Sequence, residues 1–171
     1  NSLIERQNFA FSTLDKTSNV GDVYPSLNIC SNEKFSILKS AEGACTGFLI
    51  SPDAFSISGH CFVTAADCSS KSIIFDDYEA NTKNDKTYAF NKNIFKCKSV
   101  ISSVTDYDHF IDYSIIKIES TQRMPLKISK KFLDAKTKVF MIGHPLGYGL
   151  IYSRPSIITE NIKGNPYFKT T

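Results

Sequence analysis

The sequence predicts an all-β protein, and three observations carry that expectation. Short runs rich in β-branched and aromatic residues recur along the 171 residues. Several alternate apolar and polar side chains, as half-buried strands do. Polar or Gly/Pro breaks separate the runs at short intervals, which favours a sandwich or barrel over alternating strands and helices. Residues 1–27 are polar and weakly patterned and read as a leading arm. ACTGFLIS (Ala44–Ser51) is an apolar run closed by the turn SPD, with a second short strand beyond it. KSIIFDDY (Lys71–Tyr78), KTYAFNK (Lys86–Lys92), IFKCKSVISSV (Ile94–Val104) and DYSIIKIE (Asp112–Glu119) follow as strands. KVFMIGHP (Lys138–Pro145), LIYSRPSIIT (Leu150–Thr159) and NPYFKTT (Asn165–Thr171) close the series. A helix over MPLKISKKF is disfavoured by Pro125 and by β-branching.

Length fits one domain with a sizeable core, and 42% hydrophobic with 22% charged residues is ordinary for a water-soluble chain. A net charge of +3 on scattered basic residues is too weak to mark a nucleic-acid surface. No apolar run approaches the roughly 20 residues of a membrane span. Five cysteines favour an oxidising compartment, so a secreted or periplasmic location is expected.

Proton-transfer chemistry needs a base, and the histidines are His60, His109 and His144. The stretch FSISGHCFVTAADC (Phe55–Cys68) holds two similar phrases, SGHC and TAADC, the second with Asp where the first has His. Cys45 and Cys61 lie 16 positions apart, bracketing a strand, the SPD turn and a second strand. Such a hairpin brings its ends together, so the two cysteines can bridge and pin the backbone beside His60.

On these residues, CTGFLISPDAFSISGHC resembles the segment from the strand cysteine to the catalytic His-Cys pair of trypsin-like (chymotrypsin-fold) serine proteases, most closely their bacterial secreted members. The spacing of 16 matches that family's usual bridge, whereas the position 16 before Cys68 is Pro52. SGHC is therefore the expected site and FVTAADC the loop after it. The resemblance implies that His60 is the general base and that Asp112, heading DYSIIKIE like the family's Asp-Tyr-Ala-Leu-type strand, orients it. Asp106 and Asp108 are nearby but do not head the apolar strand. VFMIGHPLGYGLIYS and NICSNEKF resemble further family segments, with His144 structural between Gly143 and Pro145. The likeness spans about Cys30 to Phe168. It implies a chymotrypsin-like double β-barrel, the first barrel complete over 28–119 and the second partly present over 120–171. It also suits a Cys68–Cys97 bridge stapling the loop after His60 to a later strand, which leaves Cys30 without a partner in the chain.

The family's nucleophile lies in a Gly-x-Ser-Gly turn whose amides form the oxyanion hole, and these 171 residues contain no such turn. Ser153 and Ser156, in YSRPS, have no glycine turn around them. The resulting expectation is a trypsin-like serine endopeptidase acting on protein or peptide substrates through an acyl-enzyme. Its serine is expected in a following segment or a second polypeptide that completes the second barrel, and this chain alone is expected to be inactive. The alternative is an inactive pseudoprotease that binds partners through loops such as Asp76–Lys86. No cofactor and no metal is expected. A cluster of His60, Cys61, Cys68 and His109 fits no zinc spacing, and a bridge at Cys61 would consume a ligand.

Overall fold

The computed structural model describes residues 11–15, 18–19, 30, 32, 39–40, 45–77, 82–83, 86–161 and 168–171. Among them the chain is mostly β with one short helix. The strands are β1 (Phe11–Asp15), β2 (Ser18–Asn19), β3 (Lys39–Ser40), β4 (Gly47–Ser51) and β5 (Ala54–Ile57), then helix α1 (Ala65–Ser70). After it come β6 (Ser72–Ile74), β7 (Thr82–Lys83), β8 (Lys86–Phe90), β9 (Ile94–Asp106) and β10 (Ile111–Ile118). The last five are β11 (Lys138–Val139), β12 (Ile142–Gly143), β13 (Ile151–Tyr152), β14 (Ser156–Glu160) and β15 (Lys169–Thr170).

The largest sheet has five antiparallel strands in the order β4-β5-β10-β9-β6, curled into a half-barrel. Its curl has a visible cause. Ile115 and Ile116 of β10 face Ser102 and Val100, and Lys117 and Ile118 face Ser99 and Cys97, so β9 twice carries an extra residue. Such bulges bend a strand and raise its local twist. The β4–β5 hairpin turns at Pro52 and Asp53, where Pro supplies the fixed φ of a turn and Ser51 Oγ donates to Asp53 Oδ1 at 2.9 Å.

The chain divides into two compact units, one of residues 1–45, 72–95 and 144–151, the other of 46–71, 96–143 and 152–171. In the first, β1 pairs with β8 from Phe11↔Phe90 to Asp15↔Lys86, so the stretch read as an arm contributes a strand. Its buried side chains include Ile73, Ala89 and Tyr148. His144 donates through Nδ1 to the Tyr148 carbonyl at 3.1 Å, inside a turn built around Pro145.

In the second unit the core is Leu49, Phe55, Ile57, Phe62, Ile116 and Ile118. Strand β10 alternates cleanly: Ser114, Ile116 and Ile118 point inward, while Tyr113 and Lys117 point to solvent. Strand periodicity puts Asp112 in line with that inward row, at its rim. Three differences from the sequence reading have local causes. FVTAADC is not simply a loop, because Thr64 and Asp67 form a reciprocal capping box that starts α1. KVFMIGHP splits into β11 and β12, the Met141 amide being taken by Ser153 Oγ at 2.7 Å. LIYSRPSIIT splits around Pro155, which has no N–H to give a ladder. MPLKISKKF forms no helix.

Cys68 and Cys97 are bridged, and the second disulfide joins Cys45 and Cys61. Cys30 is free and exposed. Disulfides of this kind suit an oxidising compartment. Among the described residues no helix is long and apolar enough to cross a membrane.

Candidate active site

His60 sits in a 3-10 turn, Gly59–Cys61, between β5 and α1. Asp112 reaches that turn twice, although the two residues are 52 positions apart. The His60 amide donates to Asp112 Oδ1 at 2.9 Å, and His60 Nδ1 lies 2.7 Å from Asp112 Oδ2. A third, longer bond comes from Thr105 Oγ1 to Oδ1 at 3.4 Å. Thr105 faces Asp112 across the β9–β10 ladder, so register alone puts it there.

The turn is held from several sides. A Cβ on Gly59 would lie 2.3 Å from the Val104 carbonyl oxygen and 2.8 Å from Asp112 Oδ1. Only glycine lets the backbone come close enough for the His60 amide to meet the carboxylate. Ser114 Oγ, fully buried, donates to the Phe62 carbonyl at 2.9 Å. Lys71 Nζ donates to the Cys61 carbonyl at 2.7 Å and to Asp67 Oδ1 at 2.8 Å, with its ammonium 5.5 Å from the centre of the Phe62 ring. The hydrogen bond from Lys71, with those from Thr64, holds the Asp67 carboxyl well below the usual carboxylate range.

Partial burial pushes the Asp112 carboxyl up. The hydrogen bonds from the His60 amide and ring, the charge of His60 and the Thr105 hydroxyl outweigh that and hold it below its ordinary value. Asp112 is therefore ionised at neutral pH and can only accept. Nδ1 of His60 must carry the proton, which leaves the Nε2 lone pair as the basic site. The imidazole is half-exposed, and Nε2 has no hydrogen-bond partner among the described residues. A nucleophile's proton could be taken there.

Asp106 does not touch His60. It pairs with His109, whose amide and Nδ1 lie 3.1 and 2.8 Å from its two oxygens, at the tip of the β9–β10 hairpin. Ser153 Oγ donates to the Arg154 carbonyl at 3.1 Å as well as accepting from Met141. The sulfur and imidazole atoms of Cys45, Cys61 and His60 cluster within 4.8 Å. Both sulfurs are tied up in a disulfide and offer no thiolate, so the cluster does not have the donor set of a metal site.

Gly59, Thr105, Ser114 and Lys71 escaped the sequence reading. The T-x-x-D spacing of Thr64 and Asp67 is a capping-box signature and could have placed Asp67, and Lys71 one turn beyond it. The role of Thr105 depends on ladder register and has no signal of its own. No family model, curated protein or solved structure matches this chain significantly.

Proposed function

We propose that the chain is the base-and-acid part of a secreted or periplasmic trypsin-like serine endopeptidase, its half-barrel being the first barrel of a chymotrypsin-like double barrel. His60 takes the proton of a serine supplied by a segment outside these residues and returns it to the leaving amine. Asp112 fixes the Nδ1–H tautomer and stabilises the imidazolium as it forms.

One observation carries this reading. A single carboxylate, delivered by a core strand 52 residues away, accepts both the amide and the ring N–H of His60 while the far ring nitrogen stays open. A turn can supply such bonds locally, as Asp106 does for His109, whereas a carboxylate delivered from a distant core strand suits a base that must meet a nucleophile in fixed geometry.

The test is labelling of the full-length protein with a fluorophosphonate probe. Covalent modification at a serine, abolished by His60→Ala, is the expected result. A folded full-length protein that never labels would overturn the enzyme and leave a binding module on the same scaffold. The 171 residues alone should not label in either case.

A further inference from the structure

Basic residues occur throughout this chain, but one stretch holds them with few acids to balance them. The 16 residues from Arg123 to Lys138 hold six of its 20 Lys and Arg but one of its 17 acids, so this stretch is strongly cationic while the remainder is slightly acidic. Lys127, Lys130, Lys131, Lys136 and Lys138 are exposed, and none forms an ion pair among the described residues. Interleaved with them are Met124, Leu126 and Ile128, whose exposures are 89%, 62% and 66%, and Phe132, also exposed.

The backbone is irregular from Arg123 to Thr137, with Lys138 opening β11, and it is anchored. The Thr121 amide donates to the Pro52 carbonyl and the Leu126 amide to the Leu49 carbonyl of β4, each at 2.9 Å. Leu126 is thus tied to the edge strand of the curled sheet and Lys136 to the Ile158 carbonyl of β14, and exposed apolar and cationic side chains follow one another along the stretch between. Four exposed apolar side chains set among lysines within nine residues suit an interaction site, and the charge favours an anionic partner.

Composition separates two kinds of anionic partner. Protein interface cores favour Tyr, Trp and Arg and are depleted in Lys. Here the cations are five Lys to one Arg. Flexible aliphatic side chains beside lysines, whose stems follow apolar surface while their ammonium groups reach outward, suit the headgroup boundary of a bilayer.

We propose that Arg123–Lys138 docks on an anionic phospholipid surface. Met124, Leu126 and Ile128 enter the acyl boundary, and Lys127, Lys130 and Lys131 meet headgroup phosphates. This is independent of the chemistry at His60 and is read by binding alone.

The experiment is sedimentation of the full chain with phosphatidylcholine vesicles containing about one-third phosphatidylglycerol, against pure phosphatidylcholine. Binding only to the anionic vesicles is expected, falling steeply as salt rises to about 0.5 M and shortens the screening length. Reversal of the three lysines together (K127E, K130E, K131E) should weaken it by about a hundredfold or more. Leu126→Ser with Ile128→Ser should weaken it roughly tenfold. All five changes are at exposed side chains, and circular dichroism checks that the fold persists. Failure of the parent chain to sediment with anionic vesicles overturns the proposal, as does undiminished binding of the lysine-reversed variant. Capture of a polyglutamate peptide without vesicle binding overturns it too and assigns the surface to an acidic protein.

Discussion

Two histidines in the second unit make nearly the same bonds by different means. At His60 and at His109 one carboxylate oxygen accepts the backbone amide and the other meets Nδ1, the ring distances being 2.7 and 2.8 Å. Asp106 is three residues from His109, and a hairpin tip alone supplies that geometry. The tip also holds Phe110 at φ 56°, a left-handed conformation that costs a side-chain-bearing residue about 1 kcal/mol. Asp112 comes from a core strand, and its side chain is 29% exposed against 40% for Asp106, with His60 54% exposed against 75% for His109. A His–Asp contact is thus cheap where the chain turns back on itself. What distinguishes His60 is the scaffold behind it: Gly59, Thr105, Ser114 and Lys71 all restrain the pair, and nothing comparable surrounds His109 among the described residues.

The sharpest way to break this comparison is to neutralise each carboxylate in the full-length protein. If His60 is the working base, Asp112→Asn should lower turnover of a peptide substrate by roughly 10⁴-fold, because the wrong tautomer is then held. Asp106→Asn should leave turnover within about twofold, since an exposed surface pair contributes little. Equal losses, measured by steady-state kinetics, would erase the distinction between the sites.

A smaller effect is expected from the backbone. Gly59→Ala places a Cβ against the Val104 carbonyl, and a backbone oxygen cannot swing aside as a long side chain would. Destabilisation of about 2 kcal/mol is expected from this overlap, read from urea unfolding. The Nδ1–H resonance of His60 should broaden by faster exchange while that of His109 stays as it was. An unperturbed His60 signal in Gly59→Ala would mean that the turn is looser than its contacts imply.

Much of the fold could be read from residue patterns because strands write themselves locally. The SPD turn and the alternation of DYSIIKIE needed no partner to be recognised, and β4, β5 and β10 fall where those signals put them. His60 and Asp112 were named as a candidate pair through the Cys–Cys spacing and through the resemblance of SGHC and DYSIIKIE to segments of a known family. Their contact was expected through that resemblance alone, because spacing and composition do not resolve a pairing across 52 residues, which ladder register sets. Thr105 stayed hidden because its place opposite Asp112 is set by the register of the β9–β10 hairpin, which composition does not mark. Asp106 illustrates the converse: its partner is three residues away, yet a turn Asp beside a His looked like any other polar loop.

The smallest predicted difference is in acid stability, and its sign follows from the carboxylates. Hydrogen bonds and the charge of His60 hold Asp112 below its ordinary range despite the opposing effect of burial. The folded state therefore binds its proton less readily than the unfolded chain, whose Asp titrates near about 3.9. The stabilisation is complete above that pH and is lost as pH falls through the lower folded value. Two hydrogen bonds to a partly buried carboxylate suggest a contribution of about 1 kcal/mol. Urea midpoints followed from pH 5 to about pH 2 should consequently fall less steeply in Asp112→Asn than in the parent. Asp106 is also held low, chiefly by the side-chain bond from His109, so its shift has the same sign. Water already solvates that carboxylate in both states, so Asp106→Asn should change the acid limb less. A reversed ranking would mean that the hairpin tip, and not the strand-anchored pair, is the better built of the two.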